Sequence, residues 1–570
     1  MLFYIFGLGL FLSWAVPLHF LPWVSWHNEV MAFAAVIWLA GGLLRSLNRH
    51  GARQQVKVPK LGWALLLLAL IVVAQTLDGS ISFIGDGWTL VFYLTLCLFS
   101  LVIGCNLGSV QIRDPVAQAF SDVLIKRLAW VLLVGGLFST IVALTQVLNV
   151  WESVSWILRM PSLRRPGANL GQPNQLATLI LFSVASLNYL FESRRISVVA
   201  ALPVMGTLLI GLSITESRTG ALSLFFMVVW WVTKYRHLSF RLSGRAVSIW
   251  VFLFGLCFWY WPLLLNIILT ARLEDADEAM RLNTRVGTRL VVWPQLWQAV
   301  LQRPWFGWGL REVSEAHNAV VHAFAESEPF TYAHNIALDL AIGLGLPLAL
   351  MLLVAAASWL LVRMRDTKDT ISWYCLAMAL PLAVHSLLEF PYAYAYLLVP
   401  VMLLVGVLEE RQATPQTIRV PWLLALVTSA VMSAAMAWSV KEYIAVEEDF
   451  RIARFEAARI GSTPNEYDRP HIVLLTQMSA LLEGARIEPS SGMSPERIEL
   501  ARKVAMRYPW PATLNRYALS LALNGNPDEA IRQLNVLRAL HGIKNYTNIK
   551  KHWQALAKEK FPQLADLTLP

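Results

Sequence analysis

An all-α, polytopic transmembrane helical bundle is the fold class this sequence predicts, and three observations predict it. The 570 residues are 56% hydrophobic and only 15% charged, where a soluble chain is about 25% charged. Mean hydropathy is +0.53. The apolar residues fall in unbroken runs on the order of 20 residues, the length that crosses a bilayer. Such a composition excludes an ordinary cytosolic enzyme and a disordered protein. The net charge of +10 would suggest nucleic acid in a soluble chain. Here it is read as membrane topology, and no nucleic-acid partner is expected.

Each element follows from length and charge. Apolar segments lie at 1–21, 29–44, 61–77, 87–108, 128–150, 174–191, 197–214, 220–233, 246–270, 336–362, 371–388, 394–408 and 421–440, about thirteen helices by the length criterion. The connection 45–60 carries Arg45, Arg49, Arg53, Lys57 and Lys60 and no acid. Residues 234–245 carry Lys234, Arg236, Arg241 and Arg245 and no acid. Arg194/Arg195 and Arg363/Arg365/Lys368 mark two further turns. If the helices alternate, all four stretches share one side, cytoplasmic by the positive-inside rule. The N-terminus is then inside, and an odd number of spans leaves the C-terminal region outside. The first segment lacks a basic n-region and a small-residue cleavage site, so it reads as a retained helix. Cys97, Cys105, Cys257 and Cys375 all lie in apolar runs, which predicts neither a disulfide framework nor a zinc site. The resulting division is 1–270, N-terminal membrane helices; 271–335, a large outer loop; 336–440, C-terminal membrane helices; and 441–570, a soluble helical domain. In that last part, 515–542 (NRYALSLALNGNPDEAIRQLNVLRALHG) has the small residues and the Gly-Asn-Pro turn of a tetratricopeptide-like helix pair. A generic helical hairpin fits equally well.

Five polar segments interrupt this frame at the outer side. RRPGANLGQPNQLA (164–177) places Gln172, Asn174 and Gln175 at a helix start. There, free N–H groups and the positive dipole end suit phosphate or sugar oxygens; a capped turn stiffened by Pro173 explains the same pattern. TESRTG (215–220) holds Arg218 at the membrane boundary. An ionisable group there is either functional or a snorkelling helix end. In RVGTRLVVWPQLWQAVLQRPWFGWG (285–309), Arg285 and Arg289 share a helical face with Trp293 and Trp297, and Pro304, Gly307 and Gly309 end the helix. An amphipathic helix on the membrane surface accounts for that face as well. FTYAHNIALDL (330–340) opens a helix with His334 and Asn335, either a cap or a proton-transfer site. HSLLEFPYAYAY (385–396) places Glu389 and Tyr392 at a helix end, where an interfacial aromatic belt is the alternative.

No P-loop, Rossmann glycine pattern, HExxH or CxxC occurs. The outer segments lack an acidic cluster for Mg²⁺ or Mn²⁺, since Glu274, Asp275, Asp277 and Glu278 read as a solvated run. A metal-independent reaction without a cofactor is therefore expected, with no metal site.

The five segments, in their order and with this topology, resemble bacterial PglL-type protein O-oligosaccharyltransferases of the O-antigen ligase and Wzy polymerase superfamily. RPGANLGQPNQLA (165–177) resembles the N-terminal signature of that family. SRTG (217–220), RLVVWPQLWQAVLQRPWFGWG (289–309) and YAHNIAL (332–338) resemble the superfamily core, and HSLLEFPYAYAYLL (385–398) the C-terminal signature. The resemblance covers 165–400. One departure is that superfamily members usually carry a Glu nine residues after the His, where this chain has Gly343; Asp339 is the nearest acid that could replace it.

The resemblance implies a glycan moved from undecaprenyl diphosphate to a Ser or Thr hydroxyl of a periplasmic protein, such as a type IV pilin-like acceptor. It implies an inner-membrane enzyme whose loop 271–335 and tail face the periplasm, in contact with membrane lipids. Arg218 and Arg289 are expected to clamp the diphosphate, with Arg285 and Arg165 weaker candidates. His334 is expected to orient or deprotonate the hydroxyl. Gln172, Asn174, Gln175 and Asn335 are expected to hold sugar or diphosphate oxygens, and Glu389 and Tyr392 to position the acceptor or His334. The alternatives are an O-antigen ligase acting on lipid A–core, a Wzy-type polymerase, and, from another class, a transporter of lipid-linked glycans.

Overall fold

The computed structural model describes residues 2–48, 55–107, 115–149, 154–159, 165–270, 288–412, 416–461, 463 and 467–569. The helices are α1 (Leu2–Ala15), α2 (Trp26–Asn48), α3 (Gly62–Leu77), α4 (Ile84–Leu107), α5 (Pro115–Val147), α6 (Pro173–Glu192), α7 (Val198–Ile214), α8 (Arg218–Leu238), α9 (Gly244–Thr270), α10 (Thr288–Gln302), α11 (Val313–Val321), α12 (Ile336–Leu344), α13 (Leu346–Asp366), α14 (Thr370–Ser386), α15 (Ala395–Glu410), α16 (Trp422–Ala458), α17 (Thr476–Ala485), α18 (Pro495–Arg507), α19 (Pro511–Leu523) and α20 (Pro527–Glu559). Two strands, β1 (Gln55–Pro59) and β2 (Thr417–Pro421), pair antiparallel with Val56 opposite Val420. Among the described residues, 7 helices are long and apolar enough to cross a membrane: α2, α4, α5, α6, α9, α13 and α16. Shorter apolar helices are α1, α3, α7 and α14.

The chain forms two compact units. The first comprises Met1–Ala69, Phe92–Asn283 and Ala357–Met436. α6 is its central helix, with Leu176, Leu179, Ile180, Phe182 and Leu187 all buried. It packs on α5, α7, α8 and α14. Its apolar residues line every face, the pattern of a helix enclosed on all sides.

The connections of this unit fall into two linked sets. In one, Lys57 pairs with Glu410 at 2.6 Å and Arg363 with Glu409 at 2.6 Å. Arg411 pairs with Asp369 at 3.1 Å. Lys234 donates to the carbonyls of Arg365 and Thr367, and Glu192 accepts from the Arg241 amide. In the other set, His19 bonds the Asn169 carbonyl, Arg165 reaches the Thr215 carbonyl, Asn174 reaches Glu389, and Glu29 accepts from the Ala395 amide. Alternate connections thus lie in opposite sets, as an up-and-down bundle requires.

The second unit comprises Leu70–Val91, Thr284–Ala356 and Ala437–Pro570. α10 buries Val292, Leu296, Ala299 and Val300, spaced as one helical face, against Val313, Phe330 and Ile342. The tail packs around Leu514, Tyr517, Leu534, Leu537 and Trp553, in a core that also takes in Val321 of α11. It is also tied to the rest of the unit by polar contacts. Arg507 forks onto Asp86 at 2.7 and 2.8 Å. The Asn318 and Gln533 amides exchange two hydrogen bonds, and the Ser327 amide donates to the Ala539 carbonyl.

One expected element is corrected. The apolar run 336–362 is not one helix but two, α12 and α13, broken at Gly345. Its φ is +78°, and a Cβ there would lie 2.3 Å from the Trp305 carbonyl oxygen. The 304–310 turn docks at this break, through Leu346 N–H to the Pro304 carbonyl and Trp308 N–H to the Ile342 carbonyl. Hydropathy cannot register such a break, because the residues on both sides remain apolar.

Candidate active site

In the first unit, three of the five polar segments converge on one side chain. Asn174, in the first turn of α6, donates from Nδ2 to Glu389 Oε1 at 3.1 Å. Its Oδ1 accepts from Ser217 Oγ at 2.7 Å and from Arg165 at 3.4 Å. Arg165 also donates through Nε to the Thr215 carbonyl at 3.0 Å. Segments 164–177, 215–220 and 385–396 therefore meet at Asn174. Asn174 and Glu389 are buried, whereas Arg165 is half-buried.

Gln172 is the N-cap of α6: its Oε1 accepts from the Gln175 amide at 2.7 Å. Gln175 Oε1 accepts from the Tyr396 hydroxyl at 2.6 Å in the interior. Ser217 caps α8 by accepting from the Gly220 amide, and Arg218 is the first residue of that helix. Arg218 is exposed, and among the described residues it makes no hydrogen bond or ion pair. A cation in a first turn opposes the helix dipole, and an anion there is favoured. Tyr392 is half-buried in the 3₁₀ turn Pro391–Ala393.

In the second unit, the remaining two segments meet. Arg289 is the second residue of α10 and half-buried. Trp293, one turn on, donates from Nε1 to the Ala333 carbonyl at 2.8 Å. The Ala333 amide donates to Asp339 Oδ1 at 2.9 Å. Both backbone groups before His334 are thereby clamped, and His334 itself holds φ +55°. A non-glycine residue in that region persists only where its surroundings impose it. The imidazole lies 4.7 Å from the Phe330 ring, centroid to centroid, and is half-buried. Asn335 is the N-cap of α12, accepting from Ala337 N–H and Leu338 N–H. Arg285 lies outside the described residues, as does the acidic run 274–278.

The missing glutamate has a local explanation. A Cβ at Gly343 would come within 3.1 Å of the Leu310 Cα, and the Gly343 carbonyl accepts from Gln75 Nε2 at 2.8 Å. Backbone packing occupies the place of a side chain. Asp339 is near His334 in sequence, but its Oδ1 holds the Ala333 amide.

Sequence reasoning passed over several polar groups. Gln146 bonds both the Ala168 amide and the Leu158 carbonyl, and Asn169 is wholly buried with bonds to Ala15, Trp156 and Leu158. These two residues shape the 165–172 loop. A glutamine inside the apolar run 128–150 was the available signal. Thr178 and His385 Nδ1 lie 2.7 Å apart in the interior. In the second unit, His317 Nε2 contacts Gln295 Oε1 at 2.9 Å and Ser327 Oγ at 3.1 Å, and burial lowers its pKa to about 4. Burial raises the Glu312 carboxyl to about 7, opposed by the Ser82 amide on its Oε1. No group of three or more His, Cys, Asp or Glu that could hold a metal ion occurs among the described residues.

The sequence is also similar to known proteins. Three family profiles match: protein glycosylation ligase over 166–191, O-antigen ligase over 203–353, and the C-terminal part of a membrane-bound virulence-factor polymerase over 373–556. A general O-oligosaccharyltransferase of Acinetobacter baylyi is 25% identical over 546 residues, 94% of this chain and 91% of that protein. A ComP-specific O-oligosaccharyltransferase of the same organism is 25% identical over 354 residues, 62% of each. With its motifs and matched profiles in the same order along the chain, this protein is similar to the PglL-type protein O-oligosaccharyltransferases of the O-antigen ligase superfamily.

Proposed function

We propose that this chain is a membrane-embedded protein O-oligosaccharyltransferase. It transfers a preassembled oligosaccharide from undecaprenyl diphosphate to Ser or Thr hydroxyls of periplasmic proteins, pilin-like proteins among them. The observation that carries the reading is where the matched residues fall. Gln172, Arg218, Arg289 and Asn335 each occupy the start of a helix, as N-cap or in the first turn. Helix starts bind phosphate oxygens through free N–H groups, and an arginine there adds a permanent, bidentate charge.

In the reaction, the bond from the anomeric carbon to the diphosphate oxygen breaks and a bond to the acceptor oxygen forms. The diphosphate needs charge stabilisation more than a proton, the role of Arg218 and Arg289, supported by Arg165 and Arg285. Such stabilisation is often the largest catalytic term. The hydroxyl proton passes to His334, a general base contributing roughly 10²–10⁴-fold. Glu389, through Asn174, fixes the polar wall of the first unit, and Tyr392 flanks the acceptor. A single displacement inverts the anomeric centre.

The topology we propose has about thirteen membrane helices, a cytoplasmic N-terminus, and 271–335 and 441–570 in the periplasm of an inner-membrane protein. The two linked sets of connections support the alternation. α10 exposes Leu290, Val291, Trp297 and Leu301, a face suited to the lipid headgroup boundary. The tail's α19–α20 pair resembles a tetratricopeptide unit, a fold suited to protein contact.

The test is glycosylation of a pilin reporter in cells supplied with the lipid-linked glycan. His334→Ala should abolish the mass shift at an unchanged membrane level, and His322→Ala, at an exposed residue, should retain it. Full activity of His334→Ala would remove the assigned base.

A further inference from the structure

Within the first unit, α6, α7, α8, α9 and α14 border an apolar cavity that is open on one side. Asn188, Trp231, Trp250 and Trp373 line it together with deeper residues such as Val184 and Leu209. None of the five polar motifs contributes to its wall. Its level is set by the helix ends. Asn188 lies four residues before the end of α6, Trp231 seven before the end of α8, Trp250 six after the start of α9, and Trp373 three after the start of α14. At 1.5 Å per residue, all four sit within roughly 10 Å of those ends. Leu209 and Val184 extend the wall inward by a further turn or more.

Three of these lining residues carry a buried polar atom that no hydrogen bond satisfies: Asn188 Oδ1, Trp231 Nε1 and Trp373 Nε1. Buried polar atoms without partners are rare, and each calls for an explanation. The two indole donors in one cavity wall mark a place where a ligand supplies the acceptors that the protein does not. A polyprenyl chain has no polar atom to offer. A diacyl glycerolipid has ester carbonyls that accept from indole N–H groups, and these carbonyls lie just below the headgroup, at this level of the helices.

The headgroup charge is set by the same helix ends. Arg236, Arg241 and Arg245 are exposed there. Arg241 packs over the Phe191 ring at 4.4 Å and donates to the Phe191 carbonyl. Arg236 and Arg245 have no ion-pair partner among the described residues. Arg245 stands in the first turn of α9, which holds no acid, where the dipole favours an anion and not a cation. Basic pockets between membrane helices on the positive side hold anionic lipid headgroups.

We propose that this cavity is a binding site for one anionic diacyl phospholipid. An acyl chain fills the wall from Trp373 to Leu209, the ester carbonyls accept from the indole N–H groups of Trp231 and Trp373, and the phosphate faces Arg236 and Arg245. The site does not depend on the glycan-transfer reading.

The experiment is native mass spectrometry of the full chain in detergent, titrated with dioleoyl-phosphatidylglycerol, dioleoyl-phosphatidylethanolamine or undecaprenyl phosphate. One phosphatidylglycerol should be retained in preference to phosphatidylethanolamine. The exposed double variant Arg236→Gln/Arg245→Gln should weaken that binding roughly thirtyfold, about fivefold per cation. Leu209→Trp, which fills the cavity, should remove it, whereas Val199→Trp on the exposed face of α7 should not. Brominated phosphatidylglycerol should quench tryptophan emission less in Trp231→Phe. Equal retention of the two phospholipids, unchanged binding in both the arginine and Leu209 variants, or displacement of phosphatidylglycerol by undecaprenyl phosphate would each overturn the assignment.

Discussion

His334 is held in the left-handed region at φ +55° while Trp293 and Asp339 fix the two backbone groups of the residue before it. The backbone at His334 is thereby held by contacts within its own unit, which suits the proton acceptor we propose. The arginines present a different demand. A planar fork matches two phosphate oxygens at once, and an ammonium does not. Arg218→Lys and Arg289→Lys should therefore each impair reporter glycosylation although the charge is kept. Losses of ten- to a hundredfold in turnover match a missing bidentate contact of about 1.5–3 kcal/mol. Wild-type rates in both would show that neither arginine binds the diphosphate.

Between elements, the joint of α10 and α11 is titratable. His317 is neutral in the folded protein because burial lowers its pKa to about 4, while the unfolded chain holds it near 6.5. The unfolded state therefore binds the proton first as pH falls. The stability from this site is present above pH 6.5 and is lost from there down towards 4, on the order of 1.4 kcal/mol per pH unit. Thermal unfolding of the purified protein should show the decline between pH 7 and 5, and His317→Gln should flatten it. The α12–α13 break makes a second prediction. Gly345→Ala forces a Cβ into the Trp305 carbonyl at φ +78° and should lower stability by at least about 1–2 kcal/mol. Gly206→Ala in α7, where nothing lies within 4 Å, should be neutral or stabilising by up to about 1 kcal/mol. Equal melting of the two variants would show that the turn at 304–310 does not dictate the break.

For the whole molecule, the proposed transfer needs donor headgroup and acceptor on one side of the membrane. An alkaline phosphatase fusion after residue 445 should be active and one after residue 240 inactive. The reverse pattern would place the tail on the cytoplasmic side and end the reading, whatever the motifs resemble.

The sequence by itself determined the mostly helical membrane class and the five polar segments, because hydropathy and charge act over windows of about 20 residues and survive without contacts. The start of α6 at Pro173 and the end of α10 before Pro304 were legible for the same reason: they are local. The tertiary structure decided the rest. It made Asn174 the meeting point of three distant segments, put backbone where Gly343 would need a side chain, split 336–362 at Gly345, and joined the tail to 288–356 in one unit. Each of these rests on which groups meet across long stretches of chain. No periodicity encodes that, because a buried asparagine or a close-packed glycine reads the same in sequence whether or not a partner stands opposite it.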